Sequence, residues 1–174
     1  MDIRVERHQN PPAFPDWDTL QFGKHFAPHM FITEWRDGVW HDPRVVPYGP
    51  LSLDPAAKVL HYAQEIFEGM KAYRSADGGR HMFRPDMNIA RFNRSAVRMS
   101  MPEVDPAVFL KALEILVDLD RDYVAPKPGS LYIRPTMIGH EPSLGVASSD
   151  RYLFYIITGP VGTYFKGGVK PLYL

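Results

Sequence analysis

Residues 130–145, SLYIRPTMIGHEPSLG, decide the fold class because apolar and polar side chains alternate along their first half. Successive side chains of a strand point to opposite faces, so Leu131, Ile133 and Met137 share one face of a predicted strand. The opposite face carries Ser130, Tyr132, Arg134 and Thr136. An arginine in the middle of a sheet must be solvated, paired or directed into a wet cavity. The stretch therefore predicts a strand with one face buried in the core and a second face on which Arg134 is solvated, paired or directed into a wet cavity.

The neighbouring segments predict more strands, and short turns join them. HMFITEWRDGVWHD has the pattern of a hairpin, with Asp37 and Gly38 as its turn. MKAYRS and RHMFR flank the turn-forming ADGG, and RYLFYIITGPV is an apolar strand near residue 155. Hairpins give antiparallel pairs, so we expect an antiparallel-rich sheet.

Three helices are also predicted. In LDPAAKVLHYAQEIFEGM, Asp54 caps a first helix, Pro55 begins it and Gly69 ends it, with Val59, Leu60, Ala63 and Ile66 at helical spacing. PDMNIARFNRSAVRMSM predicts a second, with an apolar stripe of Ile89, Phe92, Ala96 and Met99. A third begins at Asp105 and Pro106, with a stripe of Phe109, Ala112, Leu113, Leu116 and Leu119. The fold class is therefore α+β, an antiparallel-rich sheet with helices packed against it.

Composition suggests three parts to the chain. Residues 1–20 are rich in proline and predict an irregular N-terminal arm. Residues 21–160 contain the predicted strands and helices and form a small α+β domain. Residues 161–174 are glycine-rich and then apolar, which indicates an interdomain linker and the start of a second domain, with a frayed terminus as the alternative.

Charge and residue content exclude several functions. The 174 residues carry 20 basic and 20 acidic side chains, so we expect no nucleic-acid partner and no anionic membrane surface. The chain has no cysteine, and Pro28 interrupts the only helix-like histidine pair, His25 and His29, so no metal site is expected. The most apolar run, residues 152–158, is too short to span a bilayer, and the N-terminus has no apolar signal core. We expect a cytoplasmic protein.

Arg91, Arg94 and Arg98 recur at spacings of three and four on the second helix, away from its apolar stripe. The pattern favours a solvated helix face. The alternative is an anion site, because free N–H groups and the dipole at a helix N-terminus attract phosphate.

Four longer stretches carry a family resemblance: LHYAQEIFEGMKAYR, FRPDMNIARFNRSA, SLYIRPTMIGHEPSLGV and GPVGTYFKGG. Together they resemble the branched-chain amino acid aminotransferases, pyridoxal 5'-phosphate (PLP) enzymes of fold type IV. The resemblance runs from about residue 22 to the end of the chain and covers the family's smaller N-terminal domain and the start of its linker. It implies transfer of the amino group of leucine, isoleucine or valine to 2-oxoglutarate, with glutamate as the second amino acid, in a homodimer.

The resemblance also implies roles for particular residues. Arg91 corresponds to the arginine that holds the PLP phosphate. The implied substrate-binding residues are the pocket walls Phe22, Phe67 and Tyr132, the linker residue Tyr164 that closes over the pocket, and three residues that reach the neighbouring subunit's site, Tyr62, Leu144 and Val146. Arg134 corresponds to the pocket arginine, which would pair with the distal carboxylate of glutamate.

Two catalytic residues of the family are absent from the sequence. The Schiff-base lysine, and the glutamate that pairs with the pyridine nitrogen, correspond to no residue here, so the isolated chain is expected to be inactive. Its lysines are Lys24, Lys58, Lys71, Lys111, Lys127, Lys166 and Lys170. The alternatives are a relative of D-amino-acid aminotransferase or aminodeoxychorismate lyase, and a non-catalytic dimerisation or binding module. QEIFEGMKAYR and EPSLGV favour the branched-chain enzyme.

Overall fold

The computed structural model describes residues 2–163, in which helices pack on one eight-stranded sheet. The strands are β1 (Arg4–Val5), β2 (His29–Arg36), β3 (Val39–Pro47), β4 (Glu65–Phe67), β5 (Met70–Arg74), β6 (Arg80–Met82), β7 (Ser130–Gly139) and β8 (Tyr152–Val161). The α-helices are α1 (Lys58–Tyr62), α2 (Pro85–Arg98) and α3 (Pro106–Leu119), and single 3₁₀ turns lie at Trp17–Thr19 and Arg121–Tyr123. The order across the sheet is β1-β3-β2-β8-β7-β5-β6, and β4 also pairs with β7. Every pairing except β1 with β3 is antiparallel, which confirms the predicted α+β fold.

The β2–β3 hairpin forms as predicted. Asp37 and Gly38 have φ angles of 52° and 78°, so both central residues of the turn are left-handed. A turn of this hand matches the twist of the two strands that it joins, and asparagine, aspartate and glycine are the residues that tolerate it. The pairing Trp35 with Trp40 follows directly from this turn.

Strand β7 lies near the centre of the sheet and separates the core from the candidate site. Leu131, Ile133 and Met137 are fully buried on its inner face, where they join a core that includes aromatic side chains of α2, α3 and β8. β8 pairs with β7 along its full length, from Ser130–Val161 to Gly139–Tyr152. The alternation predicted from sequence is therefore confirmed, and the outer face of β7 is free to carry Tyr132 and Arg134.

Helices α2 and α3 were both predicted with the correct start. Each has proline in its first turn, and the Asp105 carboxylate accepts a hydrogen bond from the Ala107 N–H at 2.8 Å. Ile89, Phe92 and Ala96 are buried as expected. Met99 is 40% exposed because α2 ends one residue before it, so the prediction for Met99 is wrong.

The long first helix predicted over residues 54–69 is wrong. Only α1 is helical there, and it ends at Tyr62, because the next residue, Ala63, is left-handed with a φ of 50°. Ile66, assigned to the helix stripe, lies instead in β4 opposite Met137. Asp54 accepts a hydrogen bond from the Ala56 N–H at 2.7 Å and stabilises a turn before the helix rather than capping it. Pairing with β7 outweighs helical propensity in this segment.

A buried hydrogen-bonded pair joins the start of β2 to the end of α3. His29 Nδ1 lies 2.6 Å from Asp120 Oδ1, and His29 Nε2 accepts a hydrogen bond from the backbone N–H of His8 at 2.8 Å. The imidazole therefore carries its proton on Nδ1, and this N–H donates a hydrogen bond to the Asp120 carboxylate. Burial raises the pKa of Asp120, and the hydrogen bond from His29 opposes that rise. The pair also holds the N-terminal arm against the sheet.

Candidate functional site

Tyr132 and Arg134 lie side by side on the outer face of β7. Arg134 donates from Nε and Nη2 to the Tyr132 hydroxyl at 3.1 and 2.8 Å, and its guanidinium carbon lies 4.3 Å from the centre of the Phe67 ring. Aromatic rings attract a cation placed over their faces. Within residues 2–163 no carboxylate lies within ion-pair distance of Arg134. The Arg134 guanidinium is therefore held by the Tyr132 hydroxyl and the Phe67 ring, and no carboxylate of the described residues neutralises its charge.

A mainly apolar cavity of about 210 Å³ opens beside this arginine. Its wall consists of the loop before β2, the outer face of β7 and the end of β8, and includes Phe22, Gly23, Phe26, Tyr132, Arg134, Ile157 and Gly159. The Phe22 ring meets the Tyr132 ring edge to face at 4.9 Å between centres. The cavity can accept an aliphatic group and presents one cation at its edge.

A second cavity, of about 430 Å³, lies on the other side of Tyr132. Strand β5 and the region around the start of α2 form it, with Gly69, Met70, Lys71, Tyr73, Phe83 and Asn88 in its lining. Tyr132 lines both cavities and lies between the β8 residues of the first and the β5 residues of the second.

Three consecutive residues connect these parts of the site. Phe67 supports Arg134, Glu68 accepts hydrogen bonds from Arg91, and Gly69 touches Tyr132. A methyl group at position 69 would lie 2.5 Å from the Tyr132 hydroxyl oxygen, so any larger residue there displaces the phenol. The segment after α1 therefore contacts three candidate site residues, Arg134, Arg91 and Tyr132.

Arg91 projects from the first half of α2 and pairs with Glu68. Its Nε and Nη2 donate to the two carboxylate oxygens, the second at 2.8 Å. The Arg91 side chain is 60% exposed, whereas that of Glu68 is only 4% exposed. Burial raises the pKa of Glu68, but hydrogen bonds from Arg91, from the Asn88 amide and from the Gly69 N–H outweigh burial and lower it. The Glu68 hydrogen bond and charge raise the pKa of Arg91.

The remaining sequence-predicted residues lie apart from this group. The Tyr62 hydroxyl donates to the Leu144 carbonyl at 2.5 Å, and both side chains are largely exposed. Val146 is 90% exposed in the same loop. Lys58 anchors that loop, because its buried ammonium contacts Glu141 at 2.9 Å and the Ala147 carbonyl at 3.0 Å. Tyr164 lies outside the described residues.

Two residues of the site were not predicted from the sequence. Glu68 occurs in a segment predicted to be helical, and nothing local marks it as the partner of an arginine 23 residues away. Gly159 lies in β8 where a side chain would collide with the His25 carbonyl oxygen, so only glycine allows the loop that carries Phe22 to pack there. Gly159 could have been found from the sequence, because a glycine inside a predicted strand often marks a close approach of another part of the backbone.

Neither a metal centre nor a membrane-spanning helix is found in the described part of the chain. No three histidine, cysteine, aspartate or glutamate side chains among residues 2–163 are grouped to hold a metal ion. Over the same residues, no helix has the length and apolar content needed to cross a bilayer.

The sequence closely matches known aminotransferases, although no family model matches it. It is 52% identical over 153 residues to branched-chain-amino-acid transaminase 1 of Bacillus subtilis, covering 87% of this chain and 43% of that protein. It is 49% identical over 174 residues to the cytosolic branched-chain-amino-acid aminotransferase of Saccharomyces cerevisiae, covering 99% of this chain and 46% of the relative. The chain is homologous to the N-terminal portion of the branched-chain amino acid aminotransferases.

Solved structures agree with the fold. The branched-chain aminotransferase of Thermoproteus uzoniensis superimposes with a TM-score of 0.61 at 23% identity, over 78% of this chain and 43% of that one. A branched-chain amino acid aminotransferase complexed with N-(5'-phosphopyridoxyl)-L-glutamate superimposes with a TM-score of 0.56 at 25% identity, over 73% of this chain and 40% of that one. The chain thus spans less than half the length of the branched-chain aminotransferases that it matches.

Proposed function

We propose that this chain acts as the N-terminal part of a branched-chain amino acid aminotransferase, which transfers the amino group of leucine, isoleucine or valine to 2-oxoglutarate. The observation that carries this proposal is Arg134, a cation without a carboxylate partner among residues 2–163 at the edge of a mainly apolar cavity. The apolar wall suits an aliphatic side chain. The guanidinium suits the distal carboxylate of glutamate or 2-oxoglutarate.

The relatives support the same assignment. Those described above are named as branched-chain enzymes, which favours this reaction over that of a D-amino-acid aminotransferase or aminodeoxychorismate lyase. One of the solved enzymes holds a glutamate derivative of the cofactor, so that relative accommodates a second carboxylate. The yeast relative is named as cytosolic, which supports a cytoplasmic location for this protein.

The residues around Arg91 fit the phosphate group of PLP. An arginine has five N–H donors, and Arg91 uses two of them on Glu68. The other three belong to a largely exposed guanidinium and can bind phosphate oxygens. When bound, PLP supplies an electron sink for the reacting amino acid. Phe22, Phe67 and Tyr132 would then enclose the substrate side chain and exclude water, and Tyr164 is proposed to close over it.

Replacing Arg91 by alanine should weaken PLP binding by about 10- to 100-fold, because a charge-assisted phosphate contact contributes roughly 1.5–3 kcal/mol. Equilibrium dialysis of the purified 174-residue chain against PLP and against pyridoxal, which lacks the phosphate, measures this effect. Pyridoxal binding should not change. Arg94→Ala, on the same exposed face of α2, is the matched control. Unchanged PLP affinity in Arg91→Ala would contradict the proposed role.

We also propose a homodimer whose interface includes Tyr62, Leu144 and Val146, because exposed apolar side chains close together are typical of an interface. The test uses a chimera in which the matched residues of this chain replace the corresponding segment of the Bacillus subtilis transaminase. A cysteine at Val146 (Val146→Cys) should react with maleimide at least about tenfold more slowly than one at Val39, which is 52% exposed on the β2–β3 hairpin. Peptide mapping by mass spectrometry measures both rates. Equal rates in the assembled chimera would contradict the interface.

A further inference from the structure

The pair Glu68–Arg91 has an unusual distribution of burial. The carboxylate is inside the protein and the guanidinium is largely outside, so the pair is not a surface ion pair between two mobile side chains. Glu68 Oε2 accepts hydrogen bonds from the Asn88 amide at 2.9 Å and from the Gly69 N–H at 3.2 Å, in addition to that from Arg91. Three donor residues, the adjacent Gly69 and both Asn88 and Arg91 of α2, therefore fix this carboxylate before any ligand binds.

Glu68 occupies only one edge of the Arg91 guanidinium. Glu68 binds the Nε and Nη2 edge of Arg91, a side-on fork that leaves Nη1 and one Nη2 hydrogen on the outer edge. That outer edge is itself a fork with the spacing of two phosphate oxygens. An arginine held in this manner loses little side-chain entropy when it binds an anion.

We propose that Glu68 is a positioning residue, which holds Arg91 so that its outer edge binds the phosphate of a phosphate-bearing cofactor. This inference rests on the proposed function of Arg91. The opposing possibility is that Glu68 competes with phosphate for the same guanidinium, since a carboxylate and a phosphate are both anions. The two possibilities predict opposite changes in affinity when the charge of Glu68 is removed.

Glu68→Gln keeps the shape of the side chain but has one acceptor oxygen, so it cannot bind both edge nitrogens of Arg91 together with Asn88 and Gly69. We expect its PLP dissociation constant to rise about tenfold, because the loss of one hydrogen bond that aligns Arg91 produces a change of this size. Equilibrium dialysis of the 174-residue chain measures the constant. Glu65→Gln removes an exposed carboxylate three residues away and should leave the constant unchanged. An unchanged or lower constant in Glu68→Gln overturns the inference.

A double-mutant cycle distinguishes positioning from a general loss of structure. In the Arg91→Ala background, Glu68→Gln should produce no further loss of PLP affinity, because the side chain it orients is gone. A further tenfold loss there would mean that Glu68 supports the site in another way and would overturn the inference. Pyridoxal binding should be the same in all four proteins. If Arg91→Ala itself leaves PLP affinity unchanged, the proposed function of Arg91 fails first.

Arg91→Lys supplies an independent test should Glu68→Gln fold poorly. A lysine keeps the positive charge but lacks the fork that Glu68 holds. Positioning by Glu68 therefore predicts that Arg91→Lys loses nearly as much PLP affinity as Arg91→Ala. Retention of affinity within about threefold of the original chain would show that charge alone suffices, and would overturn the inference.

Discussion

The purified 174-residue chain should transfer no amino group from leucine to 2-oxoglutarate above background, whereas the Bacillus subtilis chimera should do so readily. PLP-dependent transfer needs a lysine amine held against the cofactor and the substrate. Reacting atoms must approach to roughly 3–3.5 Å in a fixed orientation. We expect this chain to supply the phosphate contact and part of the pocket, and the segment contributed by the relative to supply the amine.

The described lysines give this expectation its physical basis. Lys58 is almost completely buried, and its ammonium already contacts Glu141 and the carbonyls of Ala147 and Ser148. Lys71 is the described lysine that lines a candidate cavity, beside Tyr132. It belongs to β5, whose backbone is fixed by pairing with β7, so Lys71 is the described amine that the labelling experiment must test. Lys166 and Lys170 lie outside the described residues.

Borohydride reduction with PLP, followed by peptide mass spectrometry, makes this prediction specific. The isolated chain should show scattered, substoichiometric pyridoxyl-lysine, and the chimera a single stoichiometric adduct in the segment from the relative. A stoichiometric adduct at Lys71, together with transfer by the isolated chain, would contradict the prediction. An inactive but correctly folded chimera would instead favour the non-catalytic module.

The sequence predicted those parts of the fold whose signals are local. Helix α3 begins where Asp105 accepts a hydrogen bond from the backbone two residues later, and Asp37 and Gly38 can adopt the turn without a distant partner. β7 was predicted because the alternation of its apolar and polar side chains can be seen in consecutive residues. The residues that determine such an element lie within it or directly beside it in the sequence.

Long-range contacts explain what could not be predicted. The region of Ile66 has a helical pattern, yet it becomes a strand because Thr136–Ile138 offers a pairing edge about 70 residues further along the chain. The buried pair of His29 and Asp120 joins residues 91 positions apart. Glu68 lies next to Arg91 because the region of β4 packs against α2. Family resemblance supplied the candidate role of Arg91, but it did not indicate the carboxylate that orients it.

Replacing Arg134 by methionine in the active chimera should lower kcat/KM for 2-oxoglutarate by about 10- to 100-fold, and that for leucine by less than about threefold. Methionine retains apolar contact with the faces of Phe67 and Tyr132, so the cavity wall is preserved. The guanidinium, which no carboxylate among residues 2–163 neutralises, is lost. The loss of kcat/KM should therefore be large only for substrates that have a second carboxylate.

Arg36→Met, in an exposed part of the β2–β3 hairpin, removes the same charge far along β2 from the cavity and should change neither value. Steady-state kinetics with leucine and with glutamate as amino donors separates the two substrate types in one protein. Equal losses for both donors would assign Arg134 a structural role, through its hydrogen bonds to the Tyr132 hydroxyl. A loss confined to glutamate and 2-oxoglutarate would mean that the arginine in the middle of β7 reads the distal carboxylate, while the apolar side of the same cavity receives the aliphatic chain.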